Sequence, residues 1–183
     1  STEWSAPGPR IREYVQSLYA IWAAWQTGER LAFHGDYYNF SLMTPFFNPG
    51  PSEQPRPPVF ISAVNPYNCR VAGEVCDGLS LHPLCSPEYL KQVIAPNIAT
   101  GAAKAGRDPK SLNLGGSSFI ITGPSQAAID EKKADVRRRI AFYSSTRTYS
   151  KVLEVHGLND VGVRLHEMSL KGQWDTMTGL ITD

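Results

Sequence analysis

From residue 59 to residue 172 the chain alternates three times between a short apolar run and a longer stretch of helical period, which leaves few architectures open. Val59–Val64 follows Pro57 and Pro58, has no alternation, and stops at Asn65 and Pro66, so it predicts a strand buried on both faces. Val71, Ala72 and Val75 mark a short helix, and a second strand follows Gly78 over Leu79–His82. The gap between the two strands is long enough for a parallel crossover. Ser86 and Pro87 form an N-cap and first-turn pair, and the helix they open runs through Leu90 and Ile94 to Gly106, with a kink predicted at Pro96. A third strand is predicted over Leu112–Thr122, bulged or broken at Gly115 and Gly116. Ser125 caps a helix that turns Ile129, Val136, Ile140 and Tyr143 inward, and a last helix built on Leu158, Val161, Leu165 and Met168 closes at Gly172. The pattern predicts an α/β protein with a parallel sheet under helical cover.

Ahead of this region, Ile11, Tyr14, Val15, Leu18, Tyr19, Trp22 and Trp25 recur at spacings of three and four, predicting a helix over about Pro9–Gln26 that ends before Gly28. Residues Glu29–Pro58 have no sustained period and read as a long ordered loop. Its aromatics, Tyr37, Tyr38, Phe40, Phe46 and Phe47, either line a pocket for a planar ring or anchor the loop by packing, and packing is the favoured reading. Phe142, Tyr143 and Tyr149 are read the same way, as helix burial.

At 183 residues one domain is expected. With 42% hydrophobic and 19% charged residues the chain is too apolar to be disordered. A net charge of +1 gives no global field toward nucleic acid or anionic membrane, which points to a small-molecule partner. The longest apolar candidate, the six residues Val59–Val64, falls far short of the roughly 18 needed to cross a bilayer. Ser1–Trp4 show neither a basic nor an apolar leader segment, and Cys69, Cys76 and Cys85 are an odd set without C-x-x-C spacing. Both features point to a reducing cytoplasm.

Dinucleotide, P-loop and nucleophile-elbow motifs are absent from the sequence. His34, His82, His156 and His166 share no ligand spacing, so no metal site is expected. The basic run Arg137–Arg139 shares its helix with Asp130, Glu131 and Asp135 and reads as a solvated face. What remains is the turn after the first strand. In parallel α/β folds ligands bind beyond the carboxyl ends of strands, where small residues let backbone N–H groups and a helix N-terminus reach anionic groups. Ser62, Ala63, Val64 and Asn65 occupy that place, as a phosphate cradle or an ordinary turn. His82 ends the next strand and should face the same mouth, as a ligand contact or as a hydrogen-bonded structural histidine.

Six segments together resemble the luciferase-like monooxygenase superfamily, in particular its deazaflavin-dependent (coenzyme F-420) oxidoreductase branch. They are Arg12-Glu13-Tyr14, the run from Phe33 to Tyr38, Pro57–Val64, Ala72–Gly78, Ala105–Pro109 and Phe142–Thr146. The resemblance implies a (β/α)8 TIM barrel, which takes about 250 residues. Only three strands and a possible fourth at Leu180 are visible here, so the chain reads as one domain forming the middle and later part of such a barrel, with the opening strands absent. An incomplete barrel leaves strand edges unpaired, and a homo-oligomer is expected. In relatives, small residues such as Ala-Ala-Gly-Gly stand where Ser62–Asn65 stand, so the resemblance implies cofactor binding there, with Val64 in place of a common Gly. It implies a substrate-side place for His82. It further implies hydride transfer or monooxygenation of a small organic substrate with a deazaflavin coenzyme or FMN, chemistry that belongs to the cofactor and needs no acid/base motif. The alternatives are a non-catalytic or incomplete flavin-binding relative and a complete small enzyme of another α/β fold.

Overall fold

The computed structural model describes residues 6–182, so the leader reading at Ser1–Trp4 lies outside the described residues. Helix α1 (Pro7–Thr27) opens on proline, whose fixed φ suits the first turn, and ends at Gly28 in the left-handed conformation. Its buried face is narrower than the aromatic stripe suggested: Val15, Ser17 and Ala24 are buried, whereas Tyr14 is 43% exposed. Within the residues read as one long loop, β1 (Phe33–His34) and β2 (Asn39–Phe40) pair antiparallel as a hairpin. Glu13, buried on α1, holds the hairpin's tip. Its carboxylate accepts the backbone N–H groups of Asp36 at 2.9 Å, Tyr37 at 2.7 Å and Tyr38. Gly35 makes room for this, since a Cβ there would stand 2.3 Å from the Glu13 carboxyl. Glu13→Gln offers one acceptor oxygen in place of two and is expected to cost about 1–3 kcal/mol in urea unfolding.

The main sheet has the order β3 (Phe60–Ser62), β4 (Gly78–Leu81), β5 (Asn113–Gly116), all parallel, with Ser62 opposite Ser80 and Ser80 opposite Gly115. The crossovers are α2 (Pro66–Val75) and a long helix made of α3 (Pro87–Tyr89), a π turn over Leu90–Ile94 and α4 (Ala95–Lys104). Pro96 accounts for the π turn. Its ring cannot accept a tight preceding turn and it has no N–H, so the helix widens just ahead of it, with Ala95 N–H bonding Leu90 O. Helices α2 and α4 cross at glycine: a Cβ on Gly73 would lie 2.1 Å from Ile98 O, and one on Gly101 would lie 1.9 Å from Arg70 O.

The strand at Val59–Val64 is not buried on both faces. Ile61 and the fully buried Leu79 pack toward the helices, but Phe60 is 43% exposed and Ser62 and Ser80 are exposed. Burial on the second face needs a second layer, and no described segment supplies one. Strand β3 is also an edge strand. The third strand is four residues long rather than reaching Thr122: it ends at Gly116 without a bulge, because consecutive glycines contribute no side chain to hold it, and Ile120 beyond it is 83% exposed. Leu180 is not in a strand. Thr176–Leu180 is a 3-10 helix whose Met177 packs against Ala141 and Leu165 in a small second core.

That second core joins α5 (Gln126–Ser144), capped by Ser125 as expected, to α7 (Asn159–Leu170). Between them lie a 3-10 turn, Arg147–Tyr149, and α6 (Ser150–Glu154), neither of which the sequence announced. On α5, Asp135 ion-pairs Arg138 at 3.9 Å and Arg139 at 3.1 Å on an exposed face.

Candidate functional site

The three parallel strands end together, and beyond their carboxyl ends lies a cavity of about 410 Å³. Ser62, Ala63, Val64 and Asn65 enter it from β3, His82 and Pro83 from β4, and Ser117 from β5, with Thr148 and Tyr149 opposite. All five residues singled out from the sequence therefore line one cavity. A second cavity, of about 420 Å³, lies among the ends of α5, α6 and α7 and shares no residue with the first. No strand end reaches it, so the rule for parallel sheets selects the strand-end cavity.

The turn after β3 is held from beneath. Val64 O accepts the hydroxyl of Tyr89 at 2.9 Å, and Tyr89 is fully buried, which pushes its phenol up to about 12 and keeps it a donor. Asn65 O accepts Cys69 N–H at 3.1 Å, closing the first turn of α2. The Asn65 side chain makes no capping bond, and Pro66 has no N–H, so the first-turn N–H groups of Tyr67 and Asn68 are not capped by Asn65. The positive end of the α2 dipole thus stands at the cavity wall, with Asn65 and Asn68 lining it. Val64 narrows this wall by the size of its side chain relative to a glycine.

His82 stands across from that turn. Its Nδ1 accepts Leu84 N–H at 3.1 Å. Its ring meets Tyr143 edge-on, with centroids 4.5 Å apart, and Tyr149 at 4.7 Å. Burial holds its pKa below the ordinary histidine value. Tyr143 and Tyr149 are therefore part of the site's surroundings and not only helix packing, which corrects the burial reading for these two. Phe142 faces away, against Trp174. The loop aromatics take no part: Tyr38 packs on Tyr14 and Phe40, and Phe46 and Phe47 are exposed. Ser117 was missed because the third strand was drawn past it, and Tyr149 because a one-turn 3-10 helix has no periodic signal. Among the described residues no three His, Cys, Asp or Glu side chains come together as a metal site, and no helix is long and apolar enough to cross a membrane.

The sequence that builds this strand-end cavity matches a family model for luciferase-like monooxygenases over residues 1–183. The chain belongs to that family. This luciferase-like chain is 42% identical over its whole length to an uncharacterized protein of Mycobacterium tuberculosis, of which it covers 54%. It is 26% identical over 186 aligned residues to a 5,10-methylenetetrahydromethanopterin reductase of Methanolobus tindarius, covering 51% of it. The fold matches a coenzyme F-420 dependent tetrahydromethanopterin reductase from Methanopyrus kandleri with a TM-score of 0.70 at 19% identity, over 99% of this chain and 49% of that one. The luciferase-like chain thus has the partial α/β barrel fold expected from its sequence, with three parallel strands among the described residues, and spans about half the length of the curated relatives it matches.

Proposed function

We propose that this chain forms the middle and later part of a luciferase-like oxidoreductase that binds a deazaflavin, coenzyme F-420, at the strand-end cavity and acts on a small organic substrate. The observation that carries this reading is the α2 N-terminus, left uncapped by Asn65 beyond the short turn Ser62–Asn65, with His82 on the facing wall of the same cavity. Ser62, Ala63, Val64 and Asn65 would hold the cofactor through its anionic groups, and His82 would face the substrate side. Bound in its reduced form, a deazaflavin would supply a hydride there. The protein's part is to orient it, with Tyr89 fixing the turn from below and Tyr143 and Tyr149 fixing His82. Coenzyme F-420, named for the Methanopyrus kandleri enzyme and for an F-420-dependent glucose-6-phosphate dehydrogenase 31% identical over part of this chain, favours a deazaflavin over FMN.

The second reading is a flavin-binding relative without turnover. Titration of the chain with deazaflavin and FMN, oxidised and reduced, separates the readings. Binding of deazaflavin with substrate-dependent oxidation supports the first, binding without turnover across a substrate panel supports the second, and binding of neither ring removes the site assignment. Asn65→Asp sharpens the test. Asp is a good N-cap and leaves folding unharmed, but its charge competes with a phosphate for the same N–H groups and is expected to weaken deazaflavin binding by about tenfold.

A further inference from the structure

We propose that His82 is a fixed hydrogen-bond donor, its Nε2–H serving the strand-end cavity, and that the ligand group it meets is an unprotonated oxygen acceptor; Tyr149 is the residue that positions it. This rests on the reading of that cavity as the cofactor and substrate site.

The argument begins with the nitrogen that is already used. Leu84 N–H can only donate, so Nδ1, 3.1 Å away, must carry its lone pair there. In a neutral ring the single proton is then on Nε2, and Nε2 has no hydrogen-bond partner among the described residues. Protonation of the ring would place an N–H on Nδ1 against the N–H of Leu84, breaking that bond and setting two donors face to face.

The surroundings give the charged form no help. The aromatic rings against the imidazole are Tyr143 from α5 and Tyr149 from the 3-10 turn, and no carboxylate among the described residues pairs with it. Burial disfavours the cation in the same direction.

A chemical restriction follows. A neutral Nε2–H cannot be a general acid without leaving an imidazolate, and the only lone pair that could act as a base is engaged. His82 therefore neither supplies nor removes a proton. It can orient and polarise an acceptor such as a carbonyl oxygen, and it excludes a hydroxyl that must donate at that point. Any proton consumed in a reduction here comes from water or from another group.

Long-range proton–nitrogen NMR on the full chain carrying nitrogen-15 histidine reads the tautomer directly. The expected result is an Nε2–H tautomer for His82 at neutral pH, titrating below an ordinary histidine. An Nδ1–H tautomer, or titration at or above the ordinary value, overturns the proposal. Tyr149→Ala is expected to let the two tautomers exchange, while Tyr149→Phe, which keeps the ring, restores the single form; an unaltered spectrum in Tyr149→Ala removes the positioning role. On adding deazaflavin the His82 Nε2–H resonance is expected to shift, His82→Phe to weaken binding about tenfold, and His82→Gln, which keeps a donor, to recover most of it. If deazaflavin binds without moving His82 and binds His82→Phe equally well, the donor role falls while the cofactor site stands. If the wild-type chain binds no deazaflavin, the cofactor reading falls and takes the ligand half of this proposal with it, whereas the tautomer result still decides the other half.

Discussion

Replacing Gly101 with Ala is expected to lower the unfolding free energy by about 3 kcal/mol, the upper end for overpacking, although the change adds one methyl group. The added carbon would sit 1.9 Å from the carbonyl oxygen of Arg70 and 2.7 Å from its carbon. Both atoms are helix backbone, so no side chain can turn aside. Relief requires α2 and α4 to separate, and this crossing seats Gly73 against the buried Ile98 and Ala102. Moving α2 also moves its N-terminus, the part of the chain assigned to the cofactor. Gly101→Ala is therefore expected to weaken deazaflavin binding as well, even at temperatures where the variant remains folded. The control is Gly115→Ala in β5, where a Cβ meets nothing within 4 Å and the change in stability should stay within about 0.5 kcal/mol. Urea unfolding of the two variants side by side decides it: equal stabilities would mean that the helices do not meet as closely as described.

The parts of this architecture that depend on local chemistry were legible in the sequence. Ser86 and Ser125 accept the bonds of N-caps, from Tyr89 N–H and Ala128 N–H. Gly28, Gly106 and Gly172 stand past helix ends with φ values of 73°, 64° and 68°. The strand-to-helix turn at Asn65 was also readable, because Pro66 fixes where α2 starts, and with it the residues that reach the cavity. What was not legible depends on partners distant in sequence. The Glu13 carboxylate gathers N–H groups more than twenty positions away, and neither segment alone announces the other. The two faces of β3 differ because one, through Ile61, packs into the main core and the other meets no described layer, a distinction that the composition of Val59–Val64 does not contain. Strand β5 was drawn too long because the apolar residues after Gly116 resemble strand, yet they pair with no strand among the described residues and Ile120 stays exposed. Tyr149 came into the site through a single turn too short to have a period, and only its ring against His82 reveals what it does.

The second large effect is expected at the other end of the sheet, where Asp77→Asn should cost about 2–3 kcal/mol and flatten the acid limb of the stability profile. Asp77 precedes β4 and joins three separate elements. Its carboxylate takes both terminal nitrogens of Arg56, at 2.6 Å and 2.7 Å, the hydroxyl of Tyr19 on α1 at 3.1 Å, and Val59 N–H at 2.8 Å. Arg56 also lies over the Tyr19 ring, 4.2 Å from its centroid. Every group around the carboxylate donates, so an amide placed there must turn its NH2 toward one of them. The hydrogen bond from Arg56 is the main reason that Asp77's pKa is lowered from 3.8 to about 2. Between those values the unfolded chain binds more protons than the folded one, so the stability that Asp77 contributes is complete above about pH 4 and is lost as pH falls through about 2. At the alkaline end the sign reverses. Burial, followed by the charge of Asp77, pushes the phenol of Tyr19 up to about 12 from 10, so its contribution is complete below pH 10 and is lost as pH rises through about 12. Urea midpoints of the wild type and Asp77→Asn between pH 2 and pH 6 test the acid limb. The wild type should converge on the variant as the pH approaches 2, whereas a constant gap down to that pH would show that the carboxylate's charge is not what joins α1, the Arg56 loop and β3.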